Sequence, residues 1–215
     1  MDHYVKRAWK FFLLGAVLFT ACHAKRPPRE PLDVRLLVVD FSEAEEIKSN
    51  PREIKGWWFG SRDVYRNPNT GEIFADIFSK RIDQQISCVD SYSRTDLKYY
   101  MANKKDRLKK QFPELEENEI DQLFSDISVC DFAKDLQIDM VLIGKLNQCH
   151  TSHNRTIHWW SSVVDVDAIL LDAETCEPEW SGRIAMRKNF RSQYGAMEKA
   201  AERLIKQMKR EYFYK

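Results

Sequence analysis

Seven glycines in 215 residues are few, and the loops that glycine makes possible are missing with them. There is no phosphate loop ending in Gly-Lys-Ser/Thr, no Gly-x-Gly-x-x-Gly, no Gly-x-Ser-x-Gly and no His-Glu-x-x-His. The expectation is a protein that is not an enzyme and holds no cofactor. Charge of either sign is not in excess, with 34 Lys and Arg against 33 Asp and Glu. Binding to a phosphate backbone needs a basic surplus gathered on one face, so a nucleic-acid partner is excluded. No Cys-x-x-Cys occurs, which disfavours thiol-redox chemistry.

Long apolar runs are also lacking. The longest, Phe11 to Phe19, follows Lys6, Arg7 and Lys10 and leads to the small residues Thr20, Ala21 and Cys22. It is far short of the ~20 residues that span hydrocarbon in a helix, so the segment reads as a secretory signal. "FTAC" resembles a bacterial lipobox, which makes residues 1–21 the signal peptide and Cys22 an acylated N-terminus. Cleavage after Ala24 is the other reading, and its product carries no lipid. Residues 22–33 form a tether with three prolines in "KRPPREPLD", short enough to hold residues 34–215 close to the membrane.

Four cysteines remain: Cys88, Cys130, Cys149 and Cys176. In an exported chain they allow two disulfides with three connectivities, or buried thiols instead.

The chain reads as one α/β domain. "VRLLVVDF", Val34 to Phe41, is apolar throughout and suits a strand covered on both faces. Residues 42–71 are polar and hold Trp57 and Trp58. Ile73, Phe74, Ile77, Phe78 and Ile82 repeat at helical spacing, and "ISCVDSYS" follows as a strand. Ser93 with Asp96 marks a helix start whose stripe is Leu97, Tyr100, Met101, Leu108 and Phe112. The other face is rich in Lys, the next segment in Glu, and such charges ordinarily pair locally. "CDFAKDLQIDMVLIGKL" is a short helix, a turn and a buried strand. Alternation from Val163 to Leu170 gives another strand, Trp180 to Met186 its partner, and Met197, Ala200, Ala201, Leu204, Ile205 and Met208 the stripe of a last helix. The order is β-α-β-α-β-β-β-α, a mixed five-stranded sheet with helices on its faces. A transmembrane barrel is not expected, because spanning strands need ~9 to 11 alternating residues each.

"VRLLVVDF", "FAKDLQIDMVLIGKL" and "VDVDAILLDAETCEPEW" together resemble the envelope-lipoprotein superfamily that includes CsgG, PelC, LpoB and the N-terminal domain of TolB. Gln137, Ile138, Asp139 and Gly144 match its helix-turn-strand feature, and Cys176 stands where its last turn has glycine. A side chain there meets the strain of positive φ, so the turn is either reshaped or held by a disulfide. The resemblance implies an outer-membrane location facing the periplasm. It also implies a non-enzymatic part in assembling, gating or activating an envelope machine, with envelope proteins as partners and a homo-oligomer as one arrangement open to it.

One stretch, "CHTSHNRTIHWWSSVVDV", holds three of the five histidines. Cys149, His150, His153 and His158 are able to bind zinc, but as residues of a hairpin loop they lack a rigid frame. A periplasmic metal- or ligand-binding protein is the alternative reading. Asp165 and Asp167, on one face of a strand, could serve acid-base work or a cation, yet suit the wet side of a sheet. Trp159 and Trp160 point to opposite faces of an extended chain, so at most one enters the core. With Trp57 and Trp58 they are the candidate contacts to membrane or partner.

Overall fold

The computed structural model describes residues 34–45, 52–55, 62–114, 116–125, 127–154 and 156–214. Cys22, the tether and the Trp57–Trp58 pair lie outside the described residues.

Eight strands form one mixed sheet, three more than the sequence pattern predicts. They are β1 (Val34–Val38), β2 (Ser42–Glu43), β3 (Arg52–Lys55), β4 (Arg62–Tyr65), β5 (Val89–Tyr92), β6 (Met140–Asn154), β7 (Trp159–Asp172) and β8 (Pro178–Asn189). The helices are α1 (Thr70–Gln85), α2 (Arg94–Gln111), α3 (Glu117–Ser125), α4 (Val129–Asp135) and α5 (Gln193–Met208), which ends in a π-helical turn, Lys209–Phe213. No helix among the described residues is long and apolar enough to cross a membrane.

Strand β6 organises the sheet. One of its edges pairs with β7 from Met140↔Asp172 to Asn154↔Trp159, and β7 pairs in turn with β8. The other edge takes three short strands end to end. Parallel β1 lies beside Met140–Leu142, parallel β2 beside Lys145 and Leu146, and antiparallel β4 beside Thr151–Asn154. β5 extends the sheet beyond β1, and β3 beyond β4. The histidine-rich stretch expected as a loop is therefore strand up to Asn154, held by backbone ladders on both edges.

α1 and α5 cover one face. Phe74, Phe78 and Ile82 of α1 and Met197, Leu204 and Met208 of α5 pack against Leu36, Val38, Leu142, Leu146, Val164, Val166 and Leu170. Each such side chain, fully buried, contributes about 1.5–3 kcal/mol. The opposite face is covered near Met140, where Leu37, Ala133, Ile138 and Val141 cluster. α2 buries no residue fully and rests on α3 and α4 through Leu97, Tyr100, Met101 and Leu108. Phe112, expected in that stripe, is exposed. The start at Ser93 is a capping box with Asp96, and Ser128 with Asp131 makes a second.

A bulge between Leu146 and Gln148 shifts the register of β6, so that Leu146 and Cys149 both enter the core under α5. The Gln137 turn has φ 56°. It delivers Asp139 to β1, where a carboxylate oxygen accepts the Arg35 backbone N–H at 2.8 Å.

Candidate functional site

The far end of the β6–β7 hairpin is closed by Asn154, whose side-chain oxygen accepts the N–H groups of Thr156 (3.0 Å) and Ile157 (3.4 Å). Asparagine is suited to such a turn because its side chain substitutes for a backbone acceptor. His158, at φ 48°, completes the reversal. Trp159 and Trp160 then pair across to Asn154 and His153. Neither ring joins the core: they are 39% and 40% exposed. Phe190, at φ 55° just past β8, donates its N–H to the Trp160 carbonyl at 3.0 Å. Its ring meets both tryptophans edge to face, at 4.5 Å and 5.0 Å between centroids. With Phe190 53% and Ile157 65% exposed, the hairpin ends in an apolar knob made from two parts of the chain.

The four metal candidates are not brought together. Cys149 points into the core and His150, next along the strand, toward the opposite face. His153 lies against Trp160 and His158 sits in the turn. Among the described residues no three His, Cys, Asp or Glu side chains are grouped to hold a metal ion. Asp165 accepts two hydrogen bonds from Arg183, at 3.0 and 2.7 Å, and Asp167 takes Asn147 Nδ2 at 2.6 Å and an ion pair to Arg183 at 3.4 Å. These carboxylates are thus tied across strands rather than poised for proton transfer.

Cys130 and Cys176 form a disulfide, with Cα atoms 5.9 Å apart, and Cys88 and Cys149 are buried thiols. Cys176 has φ 60°, a conformation that favours glycine, so the turn is not reshaped to spare the side chain and the bridge holds it there. Gln193, at the start of α5, donates to the Cys149 carbonyl (3.2 Å) and sulfur (3.1 Å) and accepts the Asn67 N–H at 3.2 Å. Desolvation pushes the Cys149 thiol up to about 12, outweighing the lowering by the Gln193 hydrogen bond. Since the thiolate is the reacting species, Cys149 should resist iodoacetamide at pH 8 in folded protein and react on unfolding. Mass spectrometry of the alkylated peptide reads this; rapid labelling in the native state would show that the strand opens there.

Of the Lys-rich face of α2, Lys104 pairs with Asp135 of α4, and Lys105 with Asp121 of α3, the latter at 2.5 Å. The carboxyl of Asp135 is held below the usual range, chiefly by the Lys104 hydrogen bond.

Neither protein-family models nor curated protein sequences match this chain. In fold it resembles bacterial envelope lipoproteins. The solved structures similar to it include a PelC dodecamer from Paraburkholderia phytofirmans, at 11% identity over 83% of this chain and 90% of that one, with a TM-score of 0.47. Lipoprotein GNA1162 from Neisseria meningitidis matches at 14% identity over 82% and 99%, TM-score 0.43. The LpoB C-terminal domain from Salmonella enterica matches at 14% over 73% and 84%, TM-score 0.35. The likeness is one of fold in outline.

Proposed function

We propose that this protein is an exported lipoprotein, held in the outer membrane by an acylated Cys22 and folded in the periplasm. There it acts as a non-enzymatic assembly or scaffold component of an envelope export or biogenesis machine. The observation that carries the reading is the Cys130–Cys176 disulfide in a domain preceded by a signal segment and "LFTAC". Disulfides persist in oxidising compartments, and export supplies one. The paired state of Asp165 and Asp167 and the scattered histidines agree with a scaffold rather than a catalyst. The apolar hairpin end, with Trp159 and Trp160, supplies a contact for the machine's other parts. Whether copies of the chain associate through other surfaces is read from the mass of the purified protein in detergent.

Metabolic labelling with a palmitate analogue tests the anchor. The wild type should be labelled and sediment with membranes even in high salt, whereas Cys22→Ser should lose the label and be released to the soluble fraction by high salt. Acyl chains contribute ~0.8 kcal/mol per buried CH₂, a contribution that salt does not screen. Equal labelling of the two proteins would sink the lipoprotein reading.

A further inference from the structure

The hairpin end is apolar, and the two segments that build it carry no acid. Residues 140–164 and 180–197 contain no Asp or Glu, in a chain with 33 of them. Strand pairing brings these two stretches to one end of the sheet. Asp63 of β4, paired in register with His153, is buried, and its carboxylate accepts the Tyr65 hydroxyl at 3.0 Å. Arg187 and Arg191 are exposed and Lys188 is half-buried, and none of the three has an ion-pair partner among the described residues.

These groups are ordered along the hairpin. Ile157, the most exposed, is in the turn; Trp159, Trp160 and Phe190 come next; Lys188 and Arg187 pair with Ser162 and Val163. At ~3.3 Å per residue the two cations begin about 7 and 10 Å behind Trp160. An aliphatic apex, an aromatic layer and a cationic layer match hydrocarbon, interface and headgroups of a bilayer in sequence and spacing. A second copy of this chain fits poorly, because it meets the end with the same unpaired cations.

We infer that the hairpin end, Thr156 to Trp160 with Phe190, docks on a bilayer surface bearing anionic headgroups, and that Arg187, Lys188 and Arg191 select those headgroups. The contact rests on the lipoprotein reading only for which membrane is met.

The exported chain carrying Cys22→Ser, which has no acyl group, is mixed with vesicles of phosphatidylcholine alone or with about one-third phosphatidylglycerol. Each cation near an anionic surface is worth about a fivefold gain in partition. Binding should therefore be at least tenfold stronger to the anionic vesicles and fall steeply as salt is raised, with tryptophan emission shifting to the blue. Trp159→Ser with Trp160→Ser should lower partition at least tenfold. Arg187→Gln with Arg191→Gln should lower the preference for anionic vesicles at least tenfold while leaving the melting temperature in place. Ile157→Ser serves where the tryptophan variant fails to fold. No binding to anionic vesicles, or binding indifferent to these substitutions, overturns the inference. So does a photo-crosslinker at position 160 that yields only protein adducts in cells. Failure of palmitate labelling alone leaves the inference standing, since the vesicle assay uses no acylated protein.

Discussion

Cys130→Ser is expected to lower the unfolding free energy by about 4 kcal/mol, the loop-closure value for a bridge spanning 46 residues. For a domain of this size that is a fall in melting temperature of roughly 8–16 °C. The bridge ties the first turn of α4, which packs on the less covered face of the sheet, to the turn between β7 and β8. Cys176→Gly removes the same bridge but should lose about 1 kcal/mol less, because Cys176 sits at φ 60° and glycine adopts that conformation without steric penalty. Urea unfolding of both variants, beside wild type with and without reductant, separates the two contributions. Reduced wild type should resemble Cys130→Ser. A Cys130→Ser protein as stable as oxidised wild type would mean the bridge constrains nothing.

Gly144→Ala should cost about 1–3 kcal/mol, and Gly144→Val more. A Cβ on Gly144 falls 2.1 Å from Cε1 of Phe41 and 2.7 Å from the Asp167 carbonyl oxygen. The first neighbour is a buried ring stacked edge-on against Phe74 at 4.9 Å, and the second belongs to the β6–β7 ladder. Neither yields cheaply, which is why a strand interior otherwise poor in glycine has one here. Phe41→Ala alone should cost about 3–5 kcal/mol. In the double variant the methyl group occupies space the ring has left, so the combined loss should fall below the sum of the two. Strict additivity, measured by urea unfolding, would show that ring and glycine do not share one packing site.

The elements legible in the sequence are those that bury their own periodic face. The Phe74–Phe78–Ile82 stripe of α1, the alternation of β7 and the stripe of α5 needed no partner to be seen. β2, β3 and β4 were hidden because they are two to four residues long and exist by pairing along an edge of β6 or of one another. The polar half of β6 reads as loop for the same reason: Thr151, Ser152 and His153 are held by ladders to β4 and β7, and His150 by the one to β7, and backbone hydrogen bonds leave no trace in side-chain hydropathy. α3 was lost in a run of acidic residues. At the candidate site the tryptophan pair was visible, and Phe190 was not. It arrives from 30 positions further along, and only the absence of acid from both segments signals that they meet.

The length of β6 also fixes a lever. Val34, where the tether joins the sheet, lies level with the start of β6, and the aromatic end lies beyond Asn154. Fourteen residue steps separate Met140 from Asn154, about 46 Å at ~3.3 Å each. A push on the aromatic end is therefore carried along one strand to the edge where β1 pairs, with β7 laddered to that strand over nearly its whole length.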